Sequence, residues 1–351
     1  MDRNKVQQFM LKVIGDVGAS VTAGLVFIGT RVGLFQALAG AGPLRLDQVV
    51  ARAGLQARYV EEWLAGMVAS GYLRYDPEAQ TYTLPDEHAY FLASEGSDHD
   101  LGALFQGLPM MLAAAPKVAL AFQQGGGVAF QDFGEEFPVS IDHMNRGLYE
   151  HRLVQSWLPT MPEVVQRLQQ GGAALDIGCG TGTVSLLLAQ AFPPAQVVGL
   201  DIDRRSVDMA RERAREAGLS HRVTFILGSA KWLPDTPQYD FISSFDVVHD
   251  LVDPLGALQR LRRILAPGGT YLMVEPKVSD RLEENQHPFA VMMYGMSVLH
   301  CLTQSLAHDG AGLGACWGEA KARALVHAAG FSHFEPLNIR SPVQAFYEVK
   351  V

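Results

Sequence analysis

The chain has 351 residues, 48% hydrophobic and 19% charged, the profile of a globular protein long enough for two cores. Its formal net charge of −9 gives no electrostatic help to binding nucleic acid. The three cysteines, Cys179, Cys301 and Cys316, form no CxxC and no zinc-type spacing. Scattered cysteines and the absence of a signal-peptide apolar region predict a cytoplasmic protein. The early apolar stretch "AGLVFIG" is stopped by Arg31 and is too short to span a bilayer.

Residues 1–95 are expected to form one mainly α-helical domain. A helix is expected over 21–40, ended by glycine. Two shorter helices follow in 43–55 and 56–73, with a tight turn at Gly54, and Val60, Leu64, Met67 and Val68 share a face of the second. "YLRYDPEAQTYTLP" then gives two strands around a turn at Asp76-Pro77. Together these make a winged helix. Such domains often read DNA with the second helix of the turn motif. Here Glu61 and Glu62 beside Arg58 would repel phosphate, so a packing or dimerisation module is expected, with no nucleic-acid partner.

Residues 96–170 read as a helical connector and pocket lid, with an apolar helix over 101–122 and a glycine hinge at 125–127. From 171 to 351 strands and helices alternate, which predicts a doubly wound α/β sheet. Strands are expected at 173–179, 195–202, 223–229, 239–245 and 269–276, and helices near 181–191, 204–217, 254–266 and 317–329. In the third of these helices, Leu255, Leu258, Leu261 and Leu265 mark the apolar face. Two strands in succession end the domain, so one of them must run antiparallel.

"LDIGCGTGTV", residues 175–184, sits between a strand and a helix. Its glycines allow a tight turn and close approach to a ligand. The dinucleotide pattern GxGxxG fails, because position 183 is Thr. Asp176 precedes the glycines, where an acid suits a cationic ligand and not a diphosphate. Asp201 closes the next strand, where a carboxylate can accept both ribose hydroxyls. A ribose, a positive charge and no phosphate-binding group describe S-adenosylmethionine, whose demethylated product is S-adenosylhomocysteine.

"LDIGCGTG" with "VVGLDID" resembles the class I S-adenosylmethionine-dependent methyltransferases, over about residues 170–350. The winged-helix start resembles small-molecule O-methyltransferases in which that domain forms an intertwined homodimer, and residues 287–322 are similar to a bacterial subgroup of them. The resemblance implies a Rossmann-like seven-stranded methyltransferase sheet behind a mainly α winged-helix domain. Gly178 and Gly180 would face the methionine part, Asp176 its amino group, and Asp201 the ribose, with Ile202 against the adenine. The family's usual Asp-Ala pair after the third strand is Ser229-Ala230 here, so the acid is missing and Ser229 offers only a hydrogen bond. Phe245 would lie near the methionine.

Methyl transfer needs positioning above all, and a base only where the acceptor must lose a proton. His249 lies just beyond the strand 239–245, at the sheet edge where ligands bind. The resemblance makes the "HD" pair His249-Asp250 the source of a general base; a helix-capping or cofactor-packing role for His249 stays open, as does His300 or His287 as the base in its place. Asp246, Asp250 and Asp253 are expected to be capping and solvation groups, and no metal is expected. The insertion 277–316 is expected to roof the acceptor pocket with His287, Tyr294 and His300, and its Met292, Met293 and Met296 suit a small apolar or aromatic acceptor. Methyl transfer at oxygen is thus expected. A cofactor-sensing transcription regulator and a non-methylating decarboxylase or cyclase are the alternatives.

Overall fold

The computed structural model describes residues 1–351. They form two compact bodies: Met1–Pro109 with His143–Leu148, and Met110–Asp142 with Tyr149–Val351. The segment 96–170, expected as one connector, is therefore shared between them.

The first body contains α1 (Arg3–Arg31), α2 (Leu34–Leu38), α3 (Leu46–Ala53), α4 (Ala57–Ala69), β1 (Arg74–Asp76), β2 (Thr81–Thr83) and α5 (Asp86–Leu92). The helix expected over 21–40 is two helices. α1 begins at Arg3, where Asp2 accepts a hydrogen bond from the Asn4 N–H, and Gly33 opens α2 in the left-handed region at φ 74°. Gly29 lets α1 close on α4: a Cβ there would stand 2.4 Å from the Trp63 ring. Trp63 meets Phe35 edge-on at 5.2 Å and donates from Nε1 to the Leu25 carbonyl. Val60, Leu64 and Met67 complete this core. In the hairpin, Asp76 Oδ1 accepts from the N–H groups of Glu78 and Ala79, which fixes the turn.

α1 corrects a second expectation. As one continuous helix of 29 residues it is long and apolar enough to cross a membrane, as is Pro288–Leu306 with 19 residues. The short stretch read from the sequence missed the helical turns before Ala23. Most of α1 is exposed, including Phe9, Ile14, Val17 and Val21, while its last turns are anchored in the core just described.

After α5 the chain passes to the second body at Met110, returning to the first for His143–Leu148, and the helix expected over 101–122 is broken. α6 (Leu108–Ala113) stops before α7 (Ala115–Gln124), where Pro116 lacks the N–H that continuity needs. α8 (Phe137–Arg152) and α9 (Pro162–Gln169) lead to β3 (Ala173–Ile177), α10 (Thr183–Ala191), β4 (Gln196–Asp201), α11 (Arg204–Glu216), β5 (Val223–Leu227), β6 (Tyr239–Phe245), α12 (Pro254–Ile264) and β7 (Leu265–Pro276). α13 (Pro288–Met296) and α14 (Leu302–Leu306) occupy the insertion, and α15 (Gly318–Ala328), β8 (His333–Pro336) and β9 (Gln344–Lys350) end the chain.

The seven strands run in the order β5-β4-β3-β6-β7-β9-β8. β3 pairs in parallel with β4 on one side and β6 on the other, and β9 is antiparallel to both neighbours. The strand order reverses at β3, so a crevice opens at its carboxyl end, where ligands bind in such sheets. Buried apolar strand residues such as Leu175, Ile242 and Met273 meet Leu258 and Leu261 of α12 and Val326 of α15. The α12 face differs from the expected one. Leu255 is exposed and Leu265 already belongs to β7, while Ala257 and Ile264 take the inward places.

Candidate active site

The glycine loop between β3 and α10 has a backbone that only glycine adopts readily. Gly178, Gly180 and Gly182 have φ of 65°, 52° and 88°. A Cβ on Gly178 would stand 2.4 Å from Val247, whereas one on Gly180 would meet open space. Gly180 therefore leaves the loop's backbone uncovered at that point.

Two acids frame this loop. Asp201, at the end of β4, accepts from the Gly180 N–H and from the Asp203 N–H, both at 2.8 Å. Burial raises its pKa, and the bonds from Asp203 and Gly180 offset part of the rise. Asp176 lies deeper, at 2% exposure, and accepts from Ser185 Oγ at 2.8 Å and Ser243 Oγ at 3.0 Å. Burial pushes it up to about 7, against those two hydroxyls. The visible work of Asp176 is thus to tie β3 to α10 and β6.

Of the other cofactor candidates, Ile202 is exposed just past Asp201. Ser229 caps a short turn by accepting from the Lys231 N–H, and Ala230 is buried behind it. Phe245 packs in an aromatic group with Tyr149 at 5.1 Å and Trp157 at 6.0 Å. Tyr149 and Trp157 carried no signal in the sequence beyond being apolar helix residues.

His249 is buried, at 2% exposure. Its Nδ1 lies 2.5 Å from Glu275 Oε2 and its Nε2 3.3 Å from Asp250 Oδ1. Glu275 also accepts from the Val248 N–H and from Trp317 Nε1, each at 3.0 Å. Burial alone would lower the histidine's pKa. The carboxylates of Asp250 and Glu275, with Cys301, outweigh it and hold the imidazole well above its ordinary value. Glu275 was missed in the sequence, although its signal was there: like Asp201, it closes an apolar strand with an acid.

The three nearby aspartates are not all caps. Asp253 does cap α12, accepting from the Gly256 N–H. Asp246 instead sits in the left-handed region at φ 57° and accepts from Gln344 Nε2 at 3.0 Å. Asp250 turns toward His249. Burial raises Asp246 and Asp250 to about 6 each, against the pull of His249. Both departures have one cause: the chain after β6 turns inward, under the insertion, so these side chains lose the solvent they were expected to meet.

The three acceptor-pocket candidates separate. His300 is buried among Phe130, Phe133 and Phe137, with ring centroids 5.9, 5.1 and 4.9 Å away. Burial, helped by the charge on His249, lowers its pKa to about 3, so it is neutral, and its Nδ1 has no hydrogen-bond partner. His287 is exposed and caps α13 by accepting from the Ala290 N–H, and Tyr294 is 37% exposed with its hydroxyl 3.2 Å from Asn285 Nδ2. Neither joins the buried group around His249.

The sheet order, the glycine loop and the acid ending β4 define the class: a class I S-adenosylmethionine-dependent methyltransferase fold behind a winged helix. The family models agree. Residues 168–329 match a methyltransferase domain and residues 20–94 an Rv2258c-like winged helix–turn–helix domain. The chain thus carries a methyltransferase domain and a winged helix–turn–helix domain. A demethylmenaquinone methyltransferase of Listeria welshimeri is 29% identical over 143 residues, 40% of this chain; the match spans 59% of that relative's length. A Nostoc punctiforme structure assigned as an O-methyltransferase has a TM-score of 0.71 at 18% identity, covering 97% of this chain and 98% of its own. The O-methyltransferase NcsB1 of neocarzinostatin biosynthesis, solved with S-adenosylhomocysteine and 1,4-dihydroxy-2-naphthoic acid, has a TM-score of 0.61 at 18% identity, covering 94% of this chain and 96% of its own.

Proposed function

We propose that this protein transfers a methyl group from S-adenosylmethionine to an oxygen of a small, largely apolar acceptor. The observation that carries this reading is the His249–Glu275 pair at the carboxyl end of the sheet, with His249 two residues beyond Val247, which packs on Gly178 of the glycine loop. The bare Gly178–Gly180 backbone would face the methionine part of the cofactor, with Asp176 toward its amino group. Asp201 would take the ribose, Ile202 and Ser229-Ala230 the adenine, and Phe245 the methionine side. S-adenosylmethionine supplies an activated methyl, so the protein's work is to align acceptor and sulfonium.

In this reading His249 takes the acceptor's proton in its neutral form, which its raised pKa makes available at alkaline pH. Glu275 holds its Nδ1–H and leaves Nε2 as the reactive nitrogen, the arrangement of a base oriented by a carboxylate. The aromatic diol bound by NcsB1 supports a flat apolar acceptor for this fold. His287 and Tyr294 would stand at the outer rim of the pocket.

A cytoplasmic homodimer completes the proposal. The exposed apolar length of α1 needs a cover, and a second copy of α1 provides one that matches it. Arg58 is already paired with Glu61 and Glu62, which removes the cation that a DNA-reading helix would use. The direct test is incubation with methyl-labelled S-adenosylmethionine and a panel of phenols and hydroxyarenes, followed by mass spectrometry. Labelled ethers with release of S-adenosylhomocysteine are expected. Cofactor consumption with unlabelled product would overturn methyl transfer.

A further inference from the structure

The fold brings Cys301 of the insertion against the neighbouring pair His249 and Asp250. Ligand atoms of His249, Asp250 and Cys301 lie within 4.8 Å of one another. His249 and Cys301 are 2% and 7% exposed. Nε2 of His249 is 3.3 Å from Asp250 Oδ1, yet that oxygen is buried with no hydrogen-bond partner. The two atoms are close enough for a hydrogen bond and wrongly directed for one. The Cys301 thiol lies against both residues and supplies the third ligand atom of the group. Two ligand atoms bound at about 2.0–2.1 Å to a tetrahedral ion stand about 3.3 Å apart, the separation found here.

The rear of the ring is prepared as well. Nδ1 donates to Glu275, which the Val248 N–H and Trp317 Nε1 hold in place. A carboxylate on the rear nitrogen is the usual outer partner of a metal-bound histidine, where it fixes the tautomer and the ring orientation.

We propose that His249, Asp250 and Cys301 form a zinc site with an open fourth position. Nitrogen, sulfur and carboxylate ligands suit Zn²⁺, whereas Mg²⁺ and Ca²⁺ take oxygen sets. A thiolate and a carboxylate balance the ion's charge, and the ion takes the place of the proton on Nε2. Three protein ligands with a vacancy are the pattern of reactive zinc, because structural zinc is closed by four. An acceptor hydroxyl or thiol entering the vacancy forms a bond to zinc through its oxygen or sulfur and gives its proton to water. The ion then does what the free imidazole would do as a base. This last step rests on the methyl-transfer reading; the metal site does not.

The test uses the full-length chain, stripped with chelator and titrated with Co²⁺ and then Zn²⁺. One Co²⁺ per chain is expected, with a thiolate-to-cobalt charge-transfer band and the visible bands of a tetrahedral site, both lost as Zn²⁺ displaces it. Cys301→Ala should lose the charge-transfer band and bind Zn²⁺ at least about tenfold more weakly. Glu275→Gln should weaken Zn²⁺ about 10–100-fold through the histidine. Asp250→Asn, on the partly exposed ligand, repeats the affinity test should Cys301→Ala fold poorly. Substoichiometric cobalt in the wild-type chain overturns the site, as does undiminished zinc affinity in Asp250→Asn. Neither readout needs an acceptor, so zinc binding without labelled product would leave the site standing and sink the transfer reading instead.

Discussion

His249 and Glu275 are joined at 2.5 Å across 26 positions of sequence, Nδ1 to Oε2, with both side chains 2% exposed. His249 stands in the turn just after β6 and Glu275 near the end of the adjacent parallel strand β7, where the Val248 N–H also holds the carboxylate.

This pair makes the strongest demand on catalysis. His249→Ala should lower kcat at least about 100-fold, with S-adenosylhomocysteine affinity within a few-fold of wild type by calorimetry. A thermal-stability loss with near-normal kcat would assign His249 to the fold alone.

Asp201 anchors the glycine loop, because its carboxylate holds the Gly180 and Asp203 N–H groups, and in the proposed reading it also takes the ribose. Asp201→Ala should weaken S-adenosylhomocysteine at least about tenfold, as a charge-assisted hydrogen bond is worth roughly 1.5–3 kcal/mol. Equal affinity in a calorimetric titration would rule Asp201 out of the cofactor site.

Asp176 gives a stability signature with a definite sign. Its folded pKa of about 7 stands above the ordinary 3.8, so the folded chain keeps a proton that the unfolded chain releases. Stability contributed by the neutral form is complete below pH 4 and falls as pH rises toward 7, by about 1.4 kcal/mol for each step of one in pH. Asp176→Asn removes this titration. In the ligand-free protein its Tm, relative to wild type, should gain roughly 5 °C or more between pH 4 and pH 8. Parallel Tm curves would show that Asp176 is ionised throughout.

The exposed face of α1 can be tested without cutting the chain. Val17→Asp with Val21→Asp places charge where both side chains are at least 60% exposed, so the fold of one copy should be unaffected. Light scattering should then report half the wild-type mass. An unchanged mass would exclude α1 from the dimer contact, and co-flotation of the wild-type chain with vesicles would point to lipid as its cover.

Much of the sheet was legible because each strand is apolar, short and bounded by glycine, proline or an acid. The glycine loop and Asp201 were legible for a related reason: backbone needs and charge at a strand end are local properties. The aromatic group of Tyr149, Trp157 and Phe245 was not, since α8 and the turn after it meet β6 only in three dimensions. The same holds for Cys301 beside His249 and for the phenylalanines around His300. Pattern also misplaced helix breaks, at Gly33 and before Pro116, because an apolar run looks continuous whether or not the backbone is.

The position of β9 has a consequence for how the protein is made. It is the last of the seven strands to leave the ribosome, yet it lies between β7 and β8 and not at an edge. Until residues 344–350 emerge, the side of β7 that carries Glu275 is an open strand edge, which invites pairing with other chains. The nascent chain thus gains most from chaperone cover between the emergence of β7 and that of β9.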